Sequence, residues 1–246
     1  MDDLFRLLFN GEVIREALPQ LLREGLRITL IVSVGAIAVW LVFGLGLSLV
    51  AISRNPLLRL PAIVYIDIFR GLPAILTIFI IGFGLPTAGF RPFGRNPIAY
   101  GTLALGLIST AYCAEIFRSG IQGVDKGQME AARSLGMRRL QALRLVVVPQ
   151  GIRRVLPPLT NEFIAITKDS ALVFVLGSTV GSRELTRIAQ NVAQSTGNTS
   201  AYVAAGLVYL AITIPLTRIV NFMDRRLREG RPRGVEELPA SAGIHQ

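Results

Sequence analysis

The sequence predicts an all-α membrane protein that crosses the bilayer five times, with its N-terminus outside the cell and its C-terminus in the cytoplasm. Three observations lead to this prediction. The 246 residues are 51% hydrophobic and only 17% charged, with a mean hydropathy of +0.52, which is more apolar than a soluble domain requires. Long stretches carry no formal charge, and the basic residues are divided unevenly among the segments that connect these stretches.

The five predicted spans differ in how clearly the sequence marks them. The first is an uncharged stretch longer than the roughly 20 residues needed to cross a hydrocarbon core. The fourth is interrupted by Glu162, Lys168 and Asp169, residues that inside a span usually face a cavity or a partner helix. One transmembrane domain over residues 28–223 therefore contains spans at about residues 28–53, 60–85, 96–117, 154–180 and 200–222.

The distribution of basic residues predicts the orientation. If the five spans alternate in direction, one set of connections carries sixteen Lys and Arg residues and the other set carries eight. Basic residues concentrate in cytoplasmic loops, so the richer set, which includes residues 115–154 and the C-terminal tail, is predicted inside. Basic residues that flank spans also account for the net charge of +10, and they argue against a nucleic-acid surface.

The two ends of the chain are predicted to lie outside the transmembrane domain. Residues 1–27 have neither the basic start nor the cleavage pattern of a signal peptide. Residues 224–246 combine Pro and Gly with charges and predict a flexible cytoplasmic tail. Apolar residues near the start predict a short helix on the extracytoplasmic membrane interface, formed by Leu4, Phe5, Leu7, Leu8 and Phe9.

The composition excludes several classes of enzyme. Cys113 is the single cysteine and His245 the single histidine, so neither a disulfide framework nor a Cys/His metal cluster is available. The sequence contains no G-x-x-x-x-G-K-[ST] phosphate loop with which to bind ATP. We therefore expect no catalytic residue, no metal site and no cofactor bound by this chain.

The longest predicted cytoplasmic connection contains a helical segment at residues 126–149. Good helix formers are dense from Gln128 to Arg144, and Gly136 interrupts them. The piece before Gly136 is about two helical turns long, which is too short to be stable unless it packs on a surface. Its small alanines favour close approach of a partner protein, so one interpretation is a docking element. The other is an amphipathic helix lying under the membrane.

One motif in this segment is specific. Glu130-Ala131-Ala132 is followed after three residues by Gly136, and after nine more by Val146, one residue, Val148 and Pro149. This spacing resembles the EAA motif of ABC importer permeases, with Val in place of Ile and of Leu. Residues 177–183 form a longer connection than is usual in that family. Other segments resemble the polar amino acid permease subfamily in the same order, namely residues 69–73, 112–120, 126–128, 159–164, 168–170 and 184–187.

The resemblance implies the transmembrane subunit of a type I ABC importer, multi-pass in a bacterial cytoplasmic (inner) membrane. Such a chain is not itself an enzyme. Its implied partners are two copies of an ATPase that binds ATP-Mg, a second permease chain that is either identical or a paralogue, and an extracytoplasmic solute-binding protein. The EAA helix of the family inserts into a groove on the ATPase, so the implied coupling residues are Glu130, Ala131, Ala132 and Gly136.

Polar residues inside the spans are the candidates for the substrate path. A charge at that depth needs a partner, water or a ligand. Two structural interpretations stay open: an ion pair of Lys168 with Asp169 or Glu162, and hydroxyls that bond to their own helix backbone. Intrahelical ion pairs are expected for Asp67 with Arg70 and for Glu115 with Arg118. The path candidates are Ser109, Thr110 and Tyr112 of the third span and Asn161, Glu162, Lys168, Asp169 and Ser170 of the fourth.

The predicted function is therefore the permease subunit of an ATP-driven importer for polar amino acids. One alternative is a secondary transporter or channel that uses the charges of the fourth span as an ion relay. Another is a membrane assembly subunit without a transport path. The coupling segment and the lack of an inverted repeat disfavour a self-sufficient carrier. The sequence does not identify which amino acid is carried.

Overall fold

The computed structural model describes residues 7–177 and 181–229, with side chains as far as residue 222. These ranges contain helices and connections but no β-strand, so the all-α prediction is confirmed for them. We number the principal helices α1 to α8 along the chain. Leu4 and Phe5 of the predicted interfacial helix, and residues 230–246 of the predicted tail, lie outside the described residues.

The first helix is longer than the first predicted span. α1 runs over Gly11–Ala51, 41 residues, and includes a π turn at Leu21–Gly25. The side chain of Asn10 caps its start by accepting two backbone N–H groups of the first turn. Pro19 lacks the N–H that would complete the regular ladder, and the π turn follows it. Residues 11–27, expected as a separate interfacial segment, thus lead without a break into the apolar stretch.

The second predicted span is divided into two helices. α2 covers Pro56–Gly71, α3 covers Ala74–Thr87, and they are bent by 108° relative to each other. Proline disfavours helical geometry in the preceding residue, and Leu72, before Pro73, is extended with ψ 140°. The structure therefore replaces the continuous helix expected over residues 60–85 by a sharply bent pair.

The central helix of the molecule is α4, Pro97–Gln122. Asn96 caps it, and Pro97 occupies the first turn, where its missing N–H costs nothing. α4 runs against α1 at close range, since a Cβ on Gly106 would lie only 2.7 Å from Cβ of Val39. The main hydrophobic core forms between these helices around Trp40 and Tyr100, each 2% exposed.

The chain continues through α5, Lys126–Ser134, to α6, Val148–Asp169, and then a 3-10 turn at Ser170–Leu176. A short helix at Arg139–Ala142 and a π turn at Leu143–Val147 connect α5 with α6. α6 lies directly on α4, because a Cβ on Gly151 would lie 2.9 Å from the Cα of Ile121.

Two helices complete the described chain. α7 covers Leu185–Thr196 and α8 covers Ser200–Glu229. Gly197 between them has φ 64°, the left-handed geometry that glycine adopts readily after a helix. Both helices pack on the first third of α1 and form a second core there, which includes Leu21, Leu185, Ile188 and Ala201, all 0% exposed.

Among the described residues, three helices are long and apolar enough to cross a membrane: α1, α4 and the Ser200–Phe222 part of α8. The bent α2–α3 pair makes a fourth if it is counted as one span. α6 is not among them, since charged residues interrupt it from end to end. Three or four of the five predicted spans are thus supported, and the direction of insertion stays a prediction.

Candidate functional site

The predicted coupling segment forms a separate short helix on the surface. Asp125 caps α5 by accepting the backbone N–H of Gly127 at 2.7 Å. Glu130 and Ala131 are exposed, whereas Ala132 is only 4% exposed. Met129 packs on a small buried cluster that joins the ends of α4 and α6, formed by Ile121, Val124 and Val147. One side of α5 is therefore anchored and the other is free.

Gly136 ends α5 in a backbone arrangement that favours glycine. Its φ is +86°, and its N–H donates to the Arg133 carbonyl at 3.0 Å. The N–H of Met137 donates to the Ala132 carbonyl at 3.2 Å, which completes a Schellman motif. A side chain at Gly136 would be strained by this φ although nothing lies within 4 Å of its Cβ position. The motif glycine thus fixes where α5 stops.

Three leucines on and after α5 are strongly exposed. Leu135, Leu140 and Leu145 are 82%, 74% and 63% exposed. Large apolar side chains clustered in one segment indicate an interaction surface. Exposed basic residues accompany them, namely Arg133, Arg138, Arg139 and Arg144. The segment therefore offers an apolar surface surrounded by positive charge.

One polar contact joins α5 to α6, and a second joins α6 to the end of α4. Nε2 of Gln150 in α6 donates to Oε1 of Gln128 in α5 at 3.0 Å. The Arg154 guanidinium of α6 donates to the carbonyl oxygen of Gly123, where α4 ends. A displacement of α5 would therefore be passed to both α4 and α6.

Two of the predicted path residues come close together between α4 and α6. The Ser109 side chain of α4 lies close to the Glu162 carboxylate of α6, and Ser109 is only 3% exposed. Glu162 is half-buried, and Asp169 lies seven residues further on, close to the same side of the helix. Asn161, Lys168 and Asp169 are exposed. The structure thus brings Ser109 and Glu162 together and leaves three polar neighbours accessible.

The other path candidates have different surroundings. Thr110 donates to the Gly106 carbonyl at 2.7 Å and Ser170 to the Thr167 carbonyl at 2.7 Å, so these hydroxyls do bond to their own backbone. Tyr112 is 40% exposed and its ring lies 5.5 Å from the Arg70 guanidinium carbon. The interpretation that Lys168 forms an ion pair with Asp169 or Glu162 is not supported: within the described ranges, Lys168 has no carboxylate within 4.0 Å.

One of the two expected intrahelical ion pairs is present. Arg118 contacts Glu115 through two nitrogens, with Nε donating to Oε2 at 2.7 Å. The expected pair of Asp67 with Arg70 is wrong, because Nη1 of Arg70 lies 4.0 Å from Oε1 of Glu115 instead. The packing of α2 on α4 offers Arg70 this second carboxylate, which spacing along α2 could not reveal. No group of three or more potential metal ligands occurs in the described part of the chain.

Comparison with known proteins identifies the family. Residues 41–229 match the family described as the inner membrane component of binding-protein-dependent transport systems. The chain belongs to this family. It is 38% identical over 207 residues to a probable glutamine ABC transporter permease of Bacillus subtilis strain 168, which covers 84% of this chain and 93% of the relative. A glutamine transport system permease of Escherichia coli K12 is 34% identical, covering 89% and 98%.

Solved structures agree with the assignment of this permease. A crystal structure of an amino acid ABC transporter with histidines is 35% identical, with a TM-score of 0.76, and the match covers 85% of this chain and 94% of that one. A methionine ABC transporter chain, 20% identical with a TM-score of 0.69, has the same fold. The matched residues 41–229 include α5 and the contact of Ser109 with Glu162.

The permease also contains an ion pair that our sequence analysis missed. The Glu24 carboxylate in the π turn of α1 accepts the backbone N–H groups of Gly181 and Arg183 at 2.9 Å. It also accepts two guanidinium hydrogen bonds from Arg183 at 3.0 Å, and each side chain is only 16% exposed. We call this the Glu24–Arg183 clasp. The partners are 159 residues apart, so no local pattern in the sequence indicates it.

A second missed residue is the buried carboxyl group of Glu184. It is 1% exposed and caps α7 by accepting the N–H groups of Thr186 and Arg187. The Tyr209 hydroxyl of α8 lies 3.5 Å from it. Burial raises the pKa of Glu184 to about 7. An acidic residue immediately before a helical pattern is the signal that could have identified this cap.

Proposed function

We propose that this permease is the membrane-spanning subunit of an ATP-driven importer for polar amino acids. It forms the translocation path and couples that path to a separate ATPase. The relatives support this, because two of them, at 38% and 34% identity, are named as glutamine permeases. The observation that carries the proposal is α5, an exposed helix with the E-A-A segment that is hydrogen-bonded to α6, which is in turn hydrogen-bonded to the end of α4.

The proposed assembly contains two permease chains, two ATPase subunits and an extracytoplasmic solute-binding protein. The ATPases bind and hydrolyse ATP-Mg, and α5 with Leu135, Leu140 and Leu145 docks on them. Support comes from the high exposure of these leucines and from the lack of a phosphate loop in the permease sequence. Glu130, Ala131, Ala132 and Gly136 transmit the motion of the ATPase to α4 and α6.

We propose that the permease lies in the inner membrane of a bacterial cell and crosses it five times, with α6 as the fourth span. Its N-terminus lies outside and its C-terminus lies in the cytoplasm. The excess of basic residues in the connections on one side supports this orientation. A charged fourth span is acceptable because Glu162 meets Ser109 and the exposed Lys168 and Asp169 can line an aqueous path. This orientation places α5 on the cytoplasmic side, where ATP is available.

The composition of the assembly is tested by purifying the tagged permease from its native membrane in a mild detergent. We expect an ATPase in a one-to-one ratio with permease chains, and the copy number of each chain can be measured by native mass spectrometry. Recovery of permease pairs without any ATPase, in conditions where the pair survives, would contradict the proposal and favour a self-sufficient transporter.

The coupling role is tested with Glu130→Ala. We expect ATP-driven amino acid uptake into proteoliposomes to fall at least tenfold, because Glu130 is exposed on the free side of α5. The matched control is Glu16→Ala, another exposed helical glutamate, which should retain uptake. Normal uptake by Glu130→Ala with an intact ATPase complex would argue against coupling through α5.

The path is tested with Glu162→Gln, which keeps the shape of the side chain and removes its charge. We expect uptake to fall at least fivefold while binding-protein-stimulated ATP hydrolysis continues. Thr102→Val is the control on α4, because the Thr102 hydroxyl is bonded to the Ile98 carbonyl at 2.8 Å. Equal uptake by the two variants would show that Glu162 is not part of the translocation path.

A further inference from the structure

A cavity of about 360 Å³ lies between α2, α4 and the end of α1. It is separate from the contact of Ser109 with Glu162 and is lined by other residues. A volume in this range is sufficient for a small polar molecule. Its polar lining residues are Arg59, Asp67, Arg70, Glu115, Arg118 and Gln122.

The α4 wall of this cavity is a closed hydrogen-bond network. Arg118 is paired with both oxygens of Glu115, and its Nη1 donates to Oε1 of Gln122 at 2.8 Å. The charges of Glu115 and Arg118 therefore compensate each other. This wall has little free charge to offer a ligand.

The α2 wall has charges that are compensated only in part. In the described ranges neither Asp67 nor Arg59 has an ion pair, and Arg70 approaches Glu115 only to 4.0 Å. Asp67 and Arg70 are one turn apart, about 4.5 Å along the helix axis at ~1.5 Å per residue. Both line the cavity, yet they do not pair with each other. The arrangement leaves room for a molecule between an acceptor and a donor.

We propose that this cavity binds a small zwitterion, whose primary ammonium group contacts Asp67 and whose anionic group contacts Arg70 and Arg59. The mixed charge determines the ligand class. Asp67 would repel a simple anion, and the two guanidinium groups would repel a metal cation. A guanidinium binds carboxylate or phosphate oxygens with two parallel hydrogen bonds, and a carboxylate accepts from an ammonium group.

Two sources supply this chemistry. One is a free α-amino acid. This possibility rests on the proposed function, and it would place a second amino acid site at the cytoplasmic end of the permease. The other is the ethanolamine headgroup of a phospholipid. Ile52 and Ile63 line the cavity, and Leu57, two residues before Arg59, is 81% exposed, so acyl chains could also be accommodated.

The test uses the purified complex of permease and ATPase chains in detergent, without the solute-binding protein, with three variants. Asp67→Asn and Arg59→Gln change the cavity, and Arg54→Gln is the control, because Arg54 is exposed and does not line the cavity. For the amino acid, equilibrium binding of radiolabelled L-glutamine is measured in a Glu162→Gln background, which removes the contribution of the proposed path. For the lipid, native mass spectrometry measures retention from an equimolar mixture of phosphatidylethanolamine and phosphatidylcholine.

We expect saturable glutamine binding, or selective phosphatidylethanolamine retention, that falls at least tenfold in Asp67→Asn and Arg59→Gln and is unchanged in Arg54→Gln. The measurement that changes, glutamine binding or phosphatidylethanolamine retention, identifies the source of the ligand. The proposal is overturned if neither glutamine binding nor phosphatidylethanolamine retention falls in Asp67→Asn. It is also overturned if inorganic phosphate displaces the bound ligand as well as phosphoethanolamine does. Failure of the proposed function would appear separately, as loss of ATP-driven uptake by the unmodified protein, and would leave the lipid arm valid.

Discussion

At the scale of single residues, Gly136 connects a sequence motif to a backbone geometry. Its φ of +86° predicts that Gly136→Ala weakens the end of α5 by about 1 kcal/mol, since L residues are strained in this region. Amide hydrogen exchange in α5 should then accelerate about fivefold. Gly46→Ala in α1 is the matched control, because Gly46 has ordinary helical geometry and nothing within 4 Å of its Cβ position. Equal exchange in both variants would contradict this explanation of the motif.

The buried carboxyl of Glu184 makes the stability of the protein depend on pH. Burial raises its pKa from the ordinary 4.5 to about 7, so the folded protein retains this proton at pH values where the unfolded chain has released it. The free energy of unfolding should therefore fall as the pH rises from about 4.5 to 7, by up to about 3 kcal/mol, and level off above that range.

Glu184→Gln should reduce this slope. Thermal unfolding of the detergent-solubilised protein between pH 4.5 and 8 measures it. Glu12→Gln, at an exposed carboxylate of α1, should keep the slope of the unmodified protein. An unchanged slope in Glu184→Gln would assign the pH dependence to another group.

At the scale of helices, the Glu24–Arg183 clasp fastens the segment before α7 to the π turn of α1. Two charge-assisted hydrogen bonds from the Arg183 guanidinium to the largely buried Glu24 carboxylate predict a coupling energy of about 1 to 3 kcal/mol between the two side chains. A double-mutant cycle with Glu24→Gln and Arg183→Gln measures it from chemical denaturation. The cycle of Glu24→Gln with Arg15→Gln, an exposed arginine on the same helix, should give nearly zero. Similar values from the two cycles would refute a specific clasp.

At the scale of the whole molecule, the proposed orientation can be measured by cysteine labelling. Cys113 is the single cysteine of the sequence, so Cys113→Ala provides a background without cysteine. In it, Ser195→Cys on α7 should react with a membrane-impermeant maleimide in intact cells, because α7 is proposed to lie outside. Ser134→Cys on α5 should react only after permeabilisation. The opposite pattern would show that the proposed orientation is reversed. The unmodified protein is the control, and it should stay unlabelled in both conditions because Cys113 is buried.

Local features of the structure were predictable where the sequence pattern alone determines them. The apolar stretches of α1, α4 and α8, the interruption at Gly136 and the pair of Glu115 with Arg118 all depend on neighbours within one or two helical turns. The expected pair of Asp67 with Arg70 was wrong because α4 brings Glu115 close to Arg70. A rule based on helical spacing contains no information about the next helix.

The sequence by itself determined the helical class, the apolar segments and the family, since hydrophobic length and the spacing of the E-A-A motif are local properties of the chain. Only the tertiary structure decided which distant groups meet: Ser109 with Glu162, Glu24 with Arg183, and the two walls of the cavity between α2 and α4. It also decided that the second apolar segment bends by 108°. The physical reason is that a charge inside an apolar protein must find a partner in space, and only the packing of helices determines which partner is within reach.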